Sequence, residues 1–219
     1  MSRKKITFQT AAAEFEIQKP FPASRFMPEW YRRLKVVREG GHTVKKCVPY
    51  LDALTSGYII PLTADVSWSK ADDAFSAHTA VGVVSRHFDS QVEGIAVPPG
   101  FSPTPHKWNN QWFIKTPKGY STLFIHPLNR PDLPFYSFSG VVDTDKHPVI
   151  INFPFVLHED FEGIIPAGTP MIQAIPFKRT DWDSKINDSV SHYYPKEYEI
   201  EMPPFAWYKR KWWSRKLYS

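Results

Sequence analysis

The amino-acid sequence predicts a mainly β protein, a β-barrel or jelly roll with a few short N-terminal helices and an extended C-terminal arm. The chain holds 21 prolines but only 10 glycines, and 16% of its residues are aromatic. Because proline breaks helix interiors and central strands, this composition favours short strands joined by fixed turns. Apolar or alternating runs of strand length recur over much of the chain. The turns between them repeat one type, in which proline precedes glycine.

Residues 1–57 differ in residue pattern from the rest of the chain and are expected to carry the helices. The stretch 28–35 (PEWYRRLK) places Pro28 in a first helical turn, where proline is tolerated, and Glu29 at the positive end of the helix dipole. The stretch 49–56 repeats this arrangement, and Gly57 then suits the left-handed position after a helix end. We therefore expect two short helices that cap a sheet.

Residues 58–179 are predicted to form the β domain. Three turns in this range, 97–100, 116–119 and 165–168, each end in a glycine that can take a positive φ. From residue 180 onward the chain is polar, then aromatic and basic, which predicts an extended arm over 180–219. The seven candidate strands are Tyr58–Trp68, Thr79–Val84, Gln111–Lys115, Tyr120–Ile125, Tyr136–Val142, Val149–Leu157 and Met171–Phe177.

The formal net charge of +5 lies entirely in the last eleven residues of this arm. Residues 209–219 hold five bases and no acid, so the preceding chain balances 22 bases against 22 acids. A lone cysteine, Cys47, excludes an internal disulfide and a multi-cysteine zinc site. The sequence shows no secretory signal and no apolar run near the roughly 18 residues of a membrane span. We expect a soluble, intracellular protein without a membrane partner.

Four segments in series carry a resemblance to a known family. They are PPG at 98–100, TPKGYSTLFIHPLNR at 116–130, SGVVDTD at 139–145 and IIPAGTPMIQ at 164–173. In order and approximate spacing they resemble the dUTPase and dCTP deaminase superfamily, in which a Pro-x-Gly-Tyr turn, an aspartate-bearing hairpin and a glutamine-bearing strand follow one another. The resemblance covers residues 97–179. It implies a dUTPase-like β fold and a homotrimer whose C-terminal arms are exchanged.

The resemblance also indicates candidate site residues. Asp143 would correspond to the aspartate that orients the attacking water, although Asp-Thr-Asp is also good turn chemistry. Gln173 matches a strand position, but a glutamine there can equally satisfy a neighbouring backbone group. The candidates for ligand binding are Asn129, Arg130, Asp143, Asp145 and Gln173, and Asp143 is the one candidate for catalysis.

Most of the dUTPase catalytic pattern is substituted. Leu128 stands where an arginine would neutralise triphosphate charge, and leucine offers none of the charge-assisted bonds of a guanidinium. Lys146 replaces a tyrosine, and the absence of glycine after Gly168 leaves no glycine-rich lid. We therefore expect a non-catalytic protein that acts as an assembly, virion or binding module. The alternative is a nucleotide-binding protein or altered nucleotide hydrolase that uses the hairpin around Asp143, with Mg²⁺ only when nucleotide is bound.

A second resemblance concerns the remaining chain. The segments 27–34 (MPEWYRRL), 46–58 (KCVPYLDALTSGY) and 138–145 (FSGVVDTD) are similar to uncharacterised proteins of tailed phages, notably those of marine cyanobacteria. The likeness implies a phage origin and a location in the host cytoplasm or the virion. It implies no mechanism.

The arm interleaves bases with large aromatic residues. Stacking on aromatic rings with neutralisation of phosphates is how single-stranded nucleic acid is held. The same residues can instead dock on a neighbouring subunit, which we favour because large aromatics are costly to leave exposed. Another virion protein is a further possible partner of the arm. The arm residues concerned are Trp207, Lys209, Arg210, Lys211, Trp212, Trp213, Arg215 and Lys216.

The eight histidines show no spacing typical of a metal site, and no cofactor motif is present. The best remaining cluster would be His126, Asp143 and His147, because they flank the hairpin. We expect neither a metal nor a cofactor.

Overall fold

A computed structural model describes residues 3–11, 18–77, 79, 82–91, 93–186 and 208–219. The prediction of a mainly β protein is confirmed, with α1 at Glu29–Arg33 and α2 at Val48–Thr55 as the two α-helices of this part of the chain. The strands are β1 Thr7–Gln9, β2 Phe21–Pro22, β3 Val37–Arg38, β4 Gly41–His42, β5 Tyr58–Pro61, β6 Val66–Ser69, β7 Ala74–Ser76, β8 Val84–Arg86, β9 His106–Trp108, β10 Phe113–Lys115, β11 Tyr120–Ile125, β12 Phe135–Ser137, β13 Gly140–Val142, β14 Phe153–Leu157, β15 Gly163–Ile165 and β16 Pro170–Lys178.

The strands pair in antiparallel sheets of different sizes. A five-stranded sheet has the order β13-β11-β16-β5-β2, a four-stranded sheet has the order β12-β14-β9-β8, and a three-stranded sheet has the order β15-β6-β7. Two-stranded pairs form from β1 with β10 and from β3 with β4. The longest register joins β11 to β16, from the pair Tyr120 and Lys178 to the pair Ile125 and Gln173.

One hydrophobic core lies between the two larger sheets. Phe124 of the five-stranded sheet and Phe153 of the four-stranded sheet have ring centroids 5.2 Å apart. Trp108 and Phe155 stack at 3.7 Å, and both are fully buried. Aromatic rings thus fill part of this core together with Ile, Leu and Val side chains, and large rings bury the most apolar area per residue.

The local predictions for helices and turns are confirmed. Helices α1 and α2 lie within one or two residues of the predicted stretches. Gly57 has a φ of +70° directly after α2, and the turn glycines Gly100, Gly119 and Gly168 have φ values of +83°, +87° and +83°. These are left-handed conformations that cost a residue with a Cβ atom about 1 to 2 kcal/mol.

Two of the predicted strands are each divided between two sheets. The run Tyr58–Trp68 forms β5 in the five-stranded sheet and β6 in the three-stranded sheet. The run Tyr136–Val142 forms β12 and β13, because after Ser137 the chain crosses from the four-stranded to the five-stranded sheet. The run Thr79–Val84 is wrong in position: a strand starts at its last residue, as Val84–Arg86, and residues 78, 80 and 81 lie outside the described part of the chain.

Several strands were not predicted. The strand β9 lies between β14 and β8 although it is only three residues long and follows Pro105. At the N-terminus, β1 pairs with β10 and β2 pairs with β5, so residues 1–57, which were expected to carry the helices, also add strands to the β structure. Such short strands have too few residues for a period to be visible in sequence.

Gly57 gives a direct test of the junction between α2 and β5. A Cβ atom at this position would lie 2.1 Å from the carbonyl oxygen of Ala174, which is on the neighbouring strand β16. We predict that Gly57→Ala lowers the free energy of unfolding, measured by urea denaturation, by about 2 kcal/mol more than Gly168→Ala. Gly168 is the matched control because its φ is similar, +83°, while a Cβ there meets nothing within 4 Å. Equal losses in the two variants would contradict the packing argument.

Candidate functional site

The hairpin carboxylate Asp145 is buried against the end of β16. Its side chain is 3% exposed and binds Arg179 through two hydrogen bonds, from Nη1 to Oδ1 at 2.8 Å and from Nη2 to Oδ2 at 2.5 Å. The backbone N–H of Gly119 also donates to Oδ2 at 2.8 Å. The bonds from Arg179, and to a lesser degree from Gly119, outweigh the effect of burial and hold the pKa of Asp145 far below its usual range.

Asp143 shares the same guanidinium but stays partly open to solvent. Its Oδ1 accepts a hydrogen bond from Ser121 Oγ at 2.6 Å and lies 3.1 Å from Nη1 of Arg179. The Ser121 hydrogen bond, together with the charge of Arg179, lowers the pKa of Asp143. Its side chain is 48% exposed. Asp143 is therefore an ionised carboxylate, one oxygen of which already has two partners from the same chain.

The turn after β13 is fixed by its own backbone. The carbonyl of Asp143 accepts hydrogen bonds from the N–H groups of Lys146 at 2.8 Å and His147 at 2.9 Å. This is the turn geometry that the Asp-Thr-Asp sequence favours.

A chain of threonine hydroxyls lies beneath the two carboxylates. Thr116 Oγ1 donates to the carbonyl of Tyr120 at 3.1 Å, so it accepts from Thr144 Oγ1 at 2.7 Å. Thr144 in turn accepts from Thr122 Oγ1 at 2.8 Å, because each hydroxyl has one proton. All three threonines are buried. The hydroxyl chain holds the hairpin on β11 and leaves none of its own protons for a ligand.

Gln173 has its amide group saturated by backbone. Its Oε1 accepts from the N–H of Leu128 at 2.9 Å, and its Nε2 donates to the carbonyls of Ala53 at 3.0 Å and Ser56 at 2.6 Å. The side chain is 1% exposed. Gln173 thus joins the end of α2 to the segment after β11, which agrees with the backbone-satisfying role considered for this residue.

Asn129 and Arg130 lie in a turn after β11. Asn129 has a φ of +58°, a left-handed conformation that asparagine tolerates better than most residues. Arg130 forms a bidentate pair with Asp132, with both N–O distances 2.8 Å, and its guanidinium lies 5.1 Å from the ring centre of Phe26. Burial alone would raise the pKa of Asp132, but the hydrogen bonds and charge of Arg130 lower it overall.

The five candidate ligand-binding residues form two separate groups. Ser121, the partner of Asp143, and Ile125, which pairs with Gln173, are four residues apart on β11. At 3.2 to 3.4 Å per residue this places the groups roughly 13 Å apart. A single chain therefore does not bring Asp143 and Asp145 together with Asn129, Arg130 and Gln173.

The cluster of His126, Asp143 and His147 does not form, because His126 lies at the far end of β11. Its Nδ1 accepts from the N–H of Ser137 at 3.3 Å, so its Nε2 carries the proton that bonds the carbonyl of Arg130 at 3.1 Å. Burial lowers the pKa of His126. Across the described residues no group of three or more His, Cys, Asp or Glu side chains is placed to hold a metal ion.

The C-terminal arm lies on helix α2 of its own chain. Trp213 Nε1 and Lys216 Nζ both donate to Oδ2 of Asp52, at 2.9 Å and 2.6 Å. The hydrogen bond to Asp52 raises the pKa of Lys216. Both Trp213 and Lys216 are among the arm residues singled out in the sequence. The side chains of Lys209, Arg210, Trp212 and Arg215 are exposed to solvent. Trp207 lies outside the described residues, and Lys211 is also exposed.

The last residues of the arm reach the five-stranded sheet. The ring of Tyr218 packs edge-on against Tyr58 at 5.9 Å, and the Tyr58 hydroxyl donates to the carbonyl of Ser219 at 3.3 Å. Burial raises the pKa of Tyr58, so its phenol stays neutral. Next to this contact is a cleft of about 680 Å³ that the N-terminal residues 3–7 also line. Sequence reasoning did not find this cleft, because its walls come from segments far apart in the chain.

Comparison with protein-family models, curated proteins and solved structures finds no match to this chain. In the described part of the structure, no helix is both long enough and apolar enough to cross a membrane.

Arg179 is the residue whose removal tests the hairpin cluster. We predict that Arg179→Met lowers the urea midpoint at pH 7, because it leaves the buried carboxylate of Asp145 without its main partner. Since Asp145 has a depressed pKa in the folded state, its stabilising effect exists above the usual value of 3.8 and disappears as the pH falls below it. The difference between wild type and variant should therefore shrink between pH 5 and pH 2.

Arg179→Lys is the control, since it retains the charge but not the fork, and we expect an intermediate midpoint. A difference between wild type and Arg179→Met that does not change with pH would contradict the role given to Asp145.

Proposed function

We propose that this protein is a non-catalytic binding and assembly module. The observation that carries the proposal is the closed ion-pair cluster, in which Arg179 binds both Asp143 and Asp145. A carboxylate that orients water for attack on a phosphate needs a cationic group to hold that phosphate. Here the guanidinium of Arg179 is already paired with Asp143 and Asp145. Leu128, at the position where an arginine would be expected, contributes only its backbone N–H to Gln173.

A dUTPase-like jelly roll of phage origin is the fold and source we propose. The antiparallel strands and the order of the hairpin, the Pro-x-Gly turns and the glutamine-bearing strand support this proposal. The host cytoplasm or the virion would be the place of action. Nucleotide binding at the hairpin is the less supported alternative, because Arg179 is already paired with both carboxylates.

Exposed apolar side chains on edge strands support self-association, and the resemblance to dUTPases makes a trimer the form that we propose. Val141 on β13, at the edge of the five-stranded sheet, is 62% exposed, and Ile164 on β15, at the edge of the three-stranded sheet, is 61% exposed. Edge strands offer unpaired backbone groups to another chain, and nearby apolar side chains favour such contact. In the trimer these edges would face neighbouring copies.

The catalytic part of the proposal is tested with dUTP. We expect the purified protein with Mg²⁺ to release no pyrophosphate from dUTP or dCTP above the uncatalysed rate, because Asp143 is engaged by Ser121 and Arg179. The measurement is a coupled pyrophosphate assay, with a known active dUTPase as the positive control. Release that Asp143→Asn stops would overturn the proposal.

The assembly part is tested by multi-angle light scattering. We expect a particle of three 25.3 kDa chains, and we expect Val141→Asp to reduce its mass because a charge would enter the contact between copies. The matched control is Val37→Asp, at a valine that is 55% exposed on the β3 and β4 hairpin, and it should leave the mass unchanged. A wild-type protein that stays monomeric at high concentration would argue against assembly.

A further inference from the structure

The cleft beside Tyr218 is lined by several parts of the chain. Residues 3–7 form one wall, the turn region around Thr116 and Tyr120 forms the second, and the arm residues 217–219 form the third. Tyr58 and Pro176, from the five-stranded sheet, also line it. Its volume of about 680 Å³ falls in the range of pockets that hold ligands. It is therefore large enough for a ligand bigger than a simple ion.

The charged side chains that line the cleft are basic. Arg3, Lys4 and Lys5 line it consecutively and are exposed to solvent, and the described residues that line the cleft include no Asp or Glu side chain. Two further exposed lysines lie directly across strand pairs from lining residues, Lys115 opposite Thr7 and Lys178 opposite Tyr120. Because residues directly opposite in an antiparallel pair share a face of the sheet, these lysines extend the positive surface along the rim.

The aromatic residues of the cleft are tyrosines that are only partly covered. Tyr58, Tyr120 and Tyr218 all line it and are half-buried. Tyr218 packs edge-on against Tyr58, with an angle of 82° between the rings. Each tyrosine combines a flat apolar face with a polar tip, which suits stacking in a groove that stays wet.

We propose that this cleft binds single-stranded nucleic acid. Arg3, Lys4 and Lys5 would neutralise successive phosphates, and Tyr120 and Tyr218 would stack on bases, which is the combination that holds single strands without sequence preference. The inference rests on the proposed function in one respect, that a binding module has a ligand. It differs from binding by the arm alone, because the N-terminal bases and Tyr120 belong to other parts of the chain.

The test is fluorescence anisotropy of a labelled oligodeoxythymidine of about ten residues, within the usual site sizes of single-strand binding proteins. We expect binding by the full chain, and a loss of about tenfold or more in affinity for Lys4→Glu with Lys5→Glu. The matched control is Lys35→Glu with Arg38→Glu, which changes the net charge equally at two exposed residues of another region. The control should change the affinity by no more than about twofold.

Two further measurements separate phosphate contacts from stacking. Replacing Arg3, Lys4 and Lys5 with alanine should reduce the slope of log K against log salt by about 2, since each phosphate contact to a single strand contributes about 0.7. Tyr218→Ala should weaken oligonucleotide binding by about fivefold or more while leaving heparin binding unchanged, because heparin offers charge but no bases. Thermal melts establish that each variant is folded, and Tyr218→Ala tests the cleft even if the charge reversals do not fold.

Several outcomes would overturn the inference. The first is that the oligonucleotide does not bind. The second is that the Lys35 and Arg38 control loses as much affinity as the Lys4 and Lys5 variant. The third is that heparin binds equally well and that Tyr218→Ala changes the affinity for heparin and for the oligonucleotide by the same factor. A loss that follows only from Lys209→Glu with Arg210→Glu would assign binding to the exposed arm instead of the cleft. Tighter binding of duplex than of single strands would also overturn it. None of these outcomes would change the conclusion from the dUTP assay. Release of pyrophosphate from dUTP would likewise not change the conclusion about the cleft.

Discussion

The pairing of β11 with β16 is clamped at both ends by side chains from β16 and the residue that follows it. At one end, Gln173 binds three backbone groups that belong to α2, the segment after α2 and the segment after β11. At the other end, Arg179 binds the two carboxylates of the hairpin after β13. A buried amide or carboxylate that lost these partners would carry the full cost of desolvation. The positions of α2, the hairpin and the turn at Asn129 therefore all depend on one strand pair.

Local features of this fold could be predicted from sequence, whereas the assignment of strands to sheets could not. The two helices and the positive φ values of Gly57, Gly100, Gly119 and Gly168 follow from residue types over a few positions. The run Tyr136–Val142 has the pattern of one strand, but its two halves pair with β14 and with β11, which are distant in sequence. The periodicity of a short run does not show which strand each half will pair with.

The candidate site shows the same division. The order of the segments placed Asp143, Asp145 and Gln173 on strands or turns. The partner that decides the chemistry of the two aspartates, Arg179, lies far from them along the chain. The sequence showed that Arg179 carries a charge, but it did not show that Arg179 would form ion pairs with two acids. The basic cleft was missed for the same reason, because residues 3–5, Tyr120 and Tyr218 meet only through folding.

The single carboxylate of Asp52 anchors the described end of the arm, through Trp213 and Lys216. The Lys216 side chain is 44% exposed, so salt screens its ion pair with Asp52, and such a partly exposed pair contributes little to stability. The arm also supplies Tyr218 as one wall of the cleft. Ionic strength therefore acts on this molecule in two ways at once: it weakens the attraction for an anionic strand, and it weakens one of the contacts that hold the arm beside the cleft. Salt dependence measured on the whole protein will contain both contributions. The contribution that comes from the arm acts through the contact between Lys216 and Asp52.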